Sequence, residues 1–347
     1  MRVGLIAPPW VPVPPTAYGG TEAVVDVLAR ALSARGVDVR LFTVGTSTCP
    51  VAREHLFDEP VAPMNSSLPE LAHVSAAYEA LADVDLVHDH TVLGPLTARR
   101  FGRHTPVVTT IHHAFTPTAR YVAAETARHA ALVAISADHA RSARDVPITA
   151  VIPHGIDLER YRPVPTHRDH LVFVGRMSPD KGAHRAVRVA HEAGRPLRIA
   201  AKARTGEECA YEHDQVLPML GPDDAPPREM PLPERVETLA GAAALLNPIR
   251  WREPFGLVMA EALACGTPVL TFAEGAAPEI VEHGRTGFVC RDEREMARAV
   301  RRLDHLDRRA CRAAAQRRFG ADRMAADHEE LYRSLLATTP AGVLRGA

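Results

Sequence analysis

Two glutamates frame a short motif whose residue types suit the binding of a phosphorylated ligand. The segment EPFG at 253–256 is followed by Glu261, with seven residues between the two carboxylates. Pro254 suits the first position of a helix, and the N–H groups of residues 256–258 would then lie at a helix N-terminus without helical acceptors. Such an end binds phosphate. The spacing predicts a phosphate site where Glu261 can meet ribose hydroxyls and Glu253 a sugar.

Two cations five residues apart form a second candidate site. Arg176 and Lys181 lie in VGRMSPDKG at 174–182, which reads as a strand end, a loop and a helix starting near Pro179. Both side chains are close enough across this turn to face one diphosphate. Fixed cations at a leaving diphosphate stabilise the negative charge that develops there. Taken by itself, the segment could equally be a solvated loop, and the glutamates of the first motif a solvated helix face.

Glycines and a histidine mark two further positions at strand ends. The segment YGGTE at 18–22 follows the first predicted strand, and Gly19 and Gly20 would let the backbone approach a ligand before the next helix begins. The segment is not a G-x-G-x-x-G dinucleotide fingerprint, which argues against a dehydrogenase. His112 follows the predicted strand 106–111, at the end of a parallel strand where ligands bind.

The sequence does not indicate a metal site. His88-Asp89-His90 looks like a ligand cluster, but neighbouring residues of a strand point to opposite sides, and no third ligand is indicated. The five cysteines are scattered and form no C-x-x-C pair. We therefore expect neither a zinc site nor a disulfide framework, and a reducing cytoplasm as the setting.

The candidate residues need a framework of parallel strands. Short apolar runs alternate with amphipathic, Ala-rich stretches, a pattern typical of parallel sheets that helices cover on both faces. The predicted strands are 3–7, 39–44, 84–88, 106–111, 131–135, 148–152, 171–175, 197–201, 243–247, 268–272 and 287–290. The fold is predicted to be α/β, with two doubly wound, Rossmann-like domains.

A segment rich in Pro, His and charge at 153–170 separates the two sets of strands and is the candidate linker. We expect an N-terminal domain over 1–153 and a C-terminal domain over 154–321, with a last amphipathic helix at about 322–337 that joins the first domain. Doubly wound domains bind ligands at the carboxyl ends of their strands. The candidate residues are therefore expected to converge on a cleft between the domains.

Length and charge exclude several classes of protein. The 347 residues suit two domains, each large enough for its own core. The formal net charge of −1 gives no electrostatic case for nucleic-acid binding. The start MRVGLIAPPW has too few apolar residues for a signal peptide, and no apolar run is long enough for a transmembrane helix. Peripheral contact with a membrane stays open.

Together these motifs resemble those of a known family. The run PIRWREPFGLVMAEALACGTPV at 248–269 is similar to the E-x7-E region of the family-4 retaining glycosyltransferases, and most similar to the branch that contains the avilamycin glycosyltransferase. The resemblance covers about 1–337 and is strongest at 171–182 and 245–290. It implies the GT-B fold, in which two Rossmann-like domains face each other across a cleft. It also implies transfer of a hexosyl group from a nucleoside diphosphate sugar with retention at the anomeric carbon.

The resemblance implies roles for individual residues. Arg176 and Lys181 would hold the donor diphosphate and Glu253 the sugar. His112 matches the T-x-H histidine of the family and would orient the sugar near its reacting face. The implied donor contacts are Gly19, Gly20, Arg176, Lys181, Glu253, Phe255, Gly256, Leu257, Val258 and Glu261. We expect no metal or other cofactor, since protein cations would already face the diphosphate.

Two departures from the family's pattern concern the ligands. His154, in PHGID at 153–157, replaces the usual Asn, and the region 203–231 lacks an expected strand near which base contacts are made. The expected donor is a UDP-sugar in a bacterial cytoplasm, and the acceptor is a small molecule, a glycan or a lipid-linked molecule. Three alternatives stay open: a nucleotide-sugar epimerase of the same fold, a sugar-nucleotide-binding protein without catalysis, and an exported solute-binding protein.

Overall fold

The chain divides into two compact units in a computed structural model. The structure describes residues 1–17, 19–98, 105–165 and 169–338. Unit 1 comprises Met1–Gly155 and the chain from Ala321 onward, and unit 2 comprises Ile156–Gly320. Tyr18 of the predicted glycine segment and residues 166–168 of the predicted linker lie outside the described residues.

Each unit is built on a parallel β-sheet. The strands are β1 Arg2–Ile6, β2 Asp38–Thr43, β3 Ala52–His55, β4 Leu86–Asp89, β5 Val107–Thr110, β6 Ala131–Ala134, β7 Ala150–Val151, β8 Leu171–Arg176, β9 Leu197–Lys202, β10 Ala244–Asn247, β11 Val269–Phe272 and β12 Gly287–Cys290. Unit 1 holds a seven-stranded sheet in the order β3-β2-β1-β4-β5-β6-β7, and unit 2 a five-stranded sheet in the order β12-β11-β10-β8-β9. All neighbouring strands are parallel.

Helices follow most strands. They are α1 Gly20–Ala34, α2 Ser67–Ala80, α3 Gly94–Thr97, α4 Pro117–Thr126, α5 Ala137–Ala143, α6 Ala183–Ala193, α7 Gly206–Tyr211, α8 Leu232–Gly241, α9 Leu257–Ala264, α10 Ala277–Ile280, α11 Glu293–Val300, α12 Arg308–Phe319 and α13 Ala321–Thr338. The alternation of parallel strands and helices confirms the predicted α/β class. No helix of the described residues is long and apolar enough to cross a bilayer.

The predicted strands are confirmed, and one strand was missed. Each predicted apolar run contains a strand, because the strands of a sheet covered on both faces are almost continuously apolar. Strand β3 escaped prediction since its four residues, AREH, are mostly exposed at the edge of the sheet. As expected, no strand forms within 203–231, which instead continues α7 into a π-helical turn at Glu212–Val216.

The last helix completes unit 1 rather than unit 2. Helix α13 packs against α1, where Arg35 donates to Asp322 at 2.8 Å and to Glu329 at 2.9 Å. Tyr332 of α13 is fully buried and its hydroxyl lies 2.7 Å from Nδ1 of His88 in β4. Helix α13 therefore contributes a buried side chain next to strand β4 of unit 1.

Strand order reverses once in each sheet, and these reversals locate the candidate residues. In unit 1 the order reverses between β1 and β4, and in unit 2 between β8 and β10. Doubly wound sheets bind ligands beside such a reversal, at the carboxyl ends of the strands. The loops that follow β8 and β10 carry Lys181 and Glu253.

Candidate active site

An ion pair joins the two loops at the reversal in unit 2. Lys181 Nζ donates to Glu253 Oε2, and the indole N–H of Trp251 donates to the same oxygen at 3.1 Å. The Lys181 side chain is 17% exposed and the Glu253 side chain 15%. The ammonium also lies 5.0 Å from the centre of the Trp251 ring, a cation–π distance. In a site this enclosed, each charge is stable because the other compensates it.

A buried arginine fixes the two loops to each other. Arg185 of α6 donates through Nε to the carbonyl of Pro248 at 2.7 Å, and through Nη2 to the carbonyls of Pro179 at 2.9 Å and Asp180 at 3.1 Å. Gly182, at φ +82°, makes room for this guanidinium, because a Cβ there would lie 2.3 Å from Nη2. The positions of Lys181 and Glu253 therefore depend on Arg185, which is not a member of their ion pair.

The backbone of Glu253 is held from a third loop. Ala276 donates its N–H to the carbonyl of Glu253 at 2.9 Å. Gly275 packs so closely that a Cβ would lie 2.3 Å from the carbonyl oxygen of Glu253 and 2.4 Å from its nitrogen. Gly275 also has φ +55°, which glycine adopts most easily. Both properties make glycine a requirement for the position of Glu253.

Two helix starts differ from the prediction. Helix α9 begins at Leu257 after Gly256, whose φ of +92° turns the chain into the helix, and Pro254 lies before this turn. Helix α6 likewise begins at Ala183, after Gly182 and not near Pro179. In both cases a glycine with positive φ fixes the boundary. The N–H groups of Leu257 and Val258 still belong to a helical first turn without intrahelical acceptors.

The side chain of Phe255, a predicted donor contact, belongs to the core of unit 2. It is 3% exposed, and its ring packs edge-on against Phe319 with 5.7 Å between the ring centres. A large buried aromatic ring stabilises a fold through the apolar area it removes from water. A ligand contact of Phe255 is therefore left to its backbone.

Arg176 and Glu261 have partners of their own. Arg176 lies 3.6 Å from Asp180 and 3.6 Å from Glu208, whereas Lys181 pairs with Glu253. Glu261 accepts a hydrogen bond of 2.6 Å from the hydroxyl of Tyr161. Burial, and next the Glu261 carboxylate, raise the pKa of Tyr161 well above its usual value. The Tyr161 hydroxyl thus stays protonated, and the hydrogen bond that it donates orients the Glu261 carboxylate.

In unit 1 the glycine segment starts the first helix, as predicted. Gly19 is the residue before α1, and Gly20 is the first residue of the helix. A Cβ on Gly19 would lie 2.9 Å from Pro15 and 2.9 Å from the Glu22 carboxylate. The glycine therefore allows the Pro-rich segment before it to pack directly against the helix start.

His112 belongs to a group of contacting imidazoles in unit 1, here called the histidine cluster. The cluster consists of His88, His90, His112, His154 and His328. His90 Nδ1 lies 2.9 Å from His112 Nε2, and the ring of His154 stacks on His112 with 5.1 Å between centres. His154, the departure from the family's hinge pattern, thus packs directly against the predicted sugar-orienting residue.

The histidine cluster is electrically neutral. Burial lowers the pKa of His112 to about 3 and that of His328 to about 4. Burial, and then the neighbouring imidazoles, lower the pKa values of His88, His90 and His154 well below the usual range. Within the described part of the chain, no group of three or more potential ligands is placed to hold a metal ion.

Comparison with known proteins decides the family. The family described as Glycosyltransferase Family 4 matches residues 18–160, and that described as Glycosyl transferases group 1 matches residues 168–305. The D-inositol 3-phosphate glycosyltransferase of Geodermatophilus obscurus is 31% identical and covers 86% of this chain and 80% of its own length. The chain is a family-4 glycosyltransferase. The alternatives of a nucleotide-sugar epimerase and of a sugar-nucleotide-binding protein without catalysis are not favoured.

Solved structures agree with this assignment. AviGT4, a glycosyltransferase involved in avilamycin A biosynthesis, is 27% identical to our glycosyltransferase, with a TM-score of 0.72 over 97% of this chain and 98% of the other. Sucrose-phosphate synthase from Thermosynechococcus elongatus is 22% identical, with a TM-score of 0.82 over 97% and 99%. The two parallel-sheet domains of this enzyme are those of the GT-B fold.

Several residues of this glycosyltransferase that shape the site were not predicted. The roles of Tyr161 and Arg185 have no local signal, because each depends on a distant partner: Glu261, 100 residues from Tyr161, and Pro248, 63 residues from Arg185. Trp251 and Gly275 stand inside or beside recognisable motifs, yet their roles depend on contacts between loops. His90 was assigned to a strand end, and its bond to His112 follows from the pairing of β4 with β5.

The histidine cluster predicts that unit 1 loses stability in mild acid. Unfolded imidazoles bind protons near pH 6.5, whereas His328 and His112 stay neutral until about pH 4 and 3 when folded. The free energy of unfolding should therefore fall as pH drops from 6.5 toward 4, by up to about 1.4 kcal/mol per pH unit for each histidine. Denaturant titrations in a Trp251→Phe background, which leaves Trp10 as reporter, measure it.

His328→Gln supplies the control for this pH dependence. Removing one imidazole should reduce the slope of the unfolding free energy against pH by about 1.4 kcal/mol per pH unit, which corresponds to about one proton. A free energy of unfolding that stays level between pH 7 and 4.5 would contradict a neutral cluster.

Gly275→Ala should destabilise unit 2 by about 2–4 kcal/mol, because the methyl group collides with the Glu253 backbone and the φ angle is strained. Gly284→Ala is the matched control: Gly284 also has positive φ, at +76°, but a Cβ there meets nothing within 4 Å. The control should lose only about 1 kcal/mol. Denaturation followed by Trp251 fluorescence in a Trp10→Phe background compares them, and equal losses would show that the contact with Glu253 is unimportant.

Proposed function

We propose that this glycosyltransferase transfers a hexosyl group from a nucleoside diphosphate sugar, a UDP-sugar in the first instance, with retention of the anomeric configuration. The observation that carries the proposal is the Lys181–Glu253 pair beside the first turn of α9. A cation, a carboxylate and free helical N–H groups side by side suit a sugar diphosphate. A neighbour of the same fold, Anabaena HepE, was solved in complex with UDP and glucose at 20% identity.

Donor binding would exchange the partners of the ion pair. A diphosphate oxygen replaces the Glu253 carboxylate as the acceptor of Lys181, and the first-turn N–H groups of Leu257 and Val258 contact the same anion. Glu253, released from Lys181 but still bonded to Trp251, accepts hydrogen bonds from sugar hydroxyls. In the ion pair, the charges of Lys181 and Glu253 compensate each other until the substrate supplies each with a new partner.

Two further residues would complete the donor site. Arg176 adds a second positive charge for the leaving diphosphate, in exchange for its loose pairing at 3.6 Å with Asp180 and Glu208. Glu261 accepts from the ribose hydroxyls, with its orientation fixed by Tyr161. These protein cations neutralise the diphosphate, so transfer should proceed without a metal ion.

The proposed reaction is a front-face displacement. The bond between the anomeric carbon and the diphosphate oxygen lengthens toward an oxocarbenium-like state while Lys181 and Arg176 stabilise the charge that leaves. The acceptor oxygen then bonds to the anomeric carbon on the same face. Its proton passes to the departing phosphate oxygen, so the protein need not supply a base.

The acceptor is proposed more broadly than the donor. Relatives named D-inositol 3-phosphate glycosyltransferase cover most of this chain, at 27–31% identity for the longest matches. D-inositol 3-phosphate is therefore the first acceptor to test, beside glycans and lipid-linked molecules.

A thermal-shift screen against UDP-, GDP-, ADP- and TDP-sugars should single out one nucleotide, because a ligand that binds only the folded state stabilises it by RT ln(1 + [L]/Kd). At 100 times Kd this amounts to about 2.7 kcal/mol. Lys181→Ala should abolish the shift, whereas EDTA should leave it unchanged. No shift with any of the four nucleotides would refute the proposed donor class.

Glu253→Gln should lower turnover by roughly 100-fold, because the amide cannot accept from the sugar hydroxyls as a carboxylate does. Affinity for UDP alone should not fall, since Glu253 is proposed to contact only the sugar of the donor and the substitution frees Lys181 from its carboxylate partner. Glu237→Gln, an exposed glutamate on α8, is the matched control and should leave both quantities unchanged. The measurements are initial rates with a labelled donor and calorimetry with UDP.

Product analysis separates the proposal from its rivals. NMR should find an α-linkage from an α-donor, and a β-linkage would contradict retention. Conversion of the donor sugar without any acceptor would identify an epimerase instead. Donor binding without turnover over a broad acceptor panel would indicate a binding protein.

A further inference from the structure

The hydrogen bond between His90 and His112 requires one ring to donate and the other to accept. Nδ1 of His90 and Nε2 of His112 are 2.9 Å apart, and both rings are neutral. A neutral imidazole carries one N–H and one bare nitrogen. The direction of this single bond therefore fixes which nitrogen of His112 is left to meet a ligand.

Two other buried histidines of unit 1 show which arrangement this interior accepts. His73 Nε2 lies 2.9 Å from the carbonyl of Ala7, and His328 Nδ1 lies 2.9 Å from the carbonyl of Met324. A carbonyl only accepts, so these nitrogens carry the protons. The second nitrogen of each ring is then bare, and both are buried without a partner among the described residues. The core of unit 1 thus contains bare imidazole nitrogens.

The same reasoning settles the direction for His90. Its Nε2 is buried, and the described residues offer it no hydrogen-bond partner. If His112 donated, this nitrogen would have to carry a buried N–H without an acceptor, a group that folded proteins almost never contain. If His90 donates, its Nε2 is bare, as in His73 and His328. The bond therefore runs from His90 Nδ1–H to His112 Nε2.

We propose that His90 is a positioning residue: it holds Nε2 of His112 as an acceptor, so that His112 presents its Nδ1–H to an oxygen of a ligand. His112 is half-buried, and its Nδ1 has no partner within the described chain. The stacked ring of His154 and the bond from His90 hold the imidazole plane in place. The turnover expected of the variants below rests on the proposed function, whereas the tautomer does not.

This arrangement limits what His112 can do. A neutral ring with a fixed Nδ1–H donates one hydrogen bond and neither removes nor supplies a proton during transfer. His112 would thus orient a ligand oxygen, and the pH profile of transfer should show no step that belongs to it. His90 contributes by excluding the other tautomer.

The test is the tautomer of His112 in the full-length chain without ligand. Long-range 1H–15N NMR of 15N-histidine protein distinguishes a bare from a protonated ring nitrogen, and a His112→Gln sample assigns the signals. We expect a bare Nε2 and a protonated Nδ1. A protonated Nε2 in the wild type would overturn the proposal, whether or not any nucleotide sugar binds.

Two substitutions of similar size at His90 distinguish a positioning role from a purely structural one. In His90→Asn the amide N–H replaces Nδ1–H, so the His112 tautomer and most of the turnover should survive. In His90→Gln the amide lies farther out, so the signals should show both tautomers and turnover with UDP-glucose should fall about tenfold with little change in UDP affinity. An unchanged His112 tautomer in His90→Gln would overturn the proposal.

His328→Asn is the control, because it removes a cluster imidazole that does not bond to His112. It should leave the His112 tautomer and the turnover as in the wild type. Failure of UDP-glucose to bind any variant would count against the proposed donor alone, since the tautomer is read in the free protein.

Discussion

The arrangement of charge in unit 2 depends on the guanidinium of Arg185. This group is buried between two loops that leave adjacent strands, and it donates to carbonyls on both of them. Because an unpaired buried cation is costly, neither loop can move without breaking charge-assisted bonds. Lys181 and Glu253 are therefore held in contact by the protein's own framework. The candidate site of this family-4 glycosyltransferase is thus positioned by side chains outside it.

Sequence patterns predicted the sheets well, because the core strands of a covered parallel sheet are apolar without interruption. They failed where burial is low, as in β3, whose exposed residues carry no such pattern. They also misplaced the starts of α6 and α9, since prolines were taken as first helical residues. Gly182 and Gly256, with φ of +82° and +92°, set those boundaries instead. A backbone angle of this kind depends on neighbouring loops, which sequence periodicity does not report.

For the site, the sequence predicted residue types and missed their partners. Motif spacing identified Lys181 and Glu253, but their contact spans 72 residues and depends on strand order. His112 was predicted from a family motif, whereas His90 opposes it only because β4 pairs with β5. Tyr161 and Gly275 act on glutamates that are distant in sequence. The sequence thus predicts which residues carry reactive groups, whereas the residues that orient those groups are found only from the folded structure.

The place of α13 has a consequence for how the protein is made. Unit 2 is one continuous segment inserted into unit 1, and its two ends are bonded to each other, with the Ile156 N–H donating to the carbonyl of Phe319 at 2.8 Å. During synthesis, unit 2 is translated before α13 and leaves the ribosome before α13 does. Until then, His88 lacks the hydroxyl of Tyr332 and α1 lacks its covering helix. The inserted unit can therefore mature first, while the unit that begins the chain waits for its last eighteen helical residues.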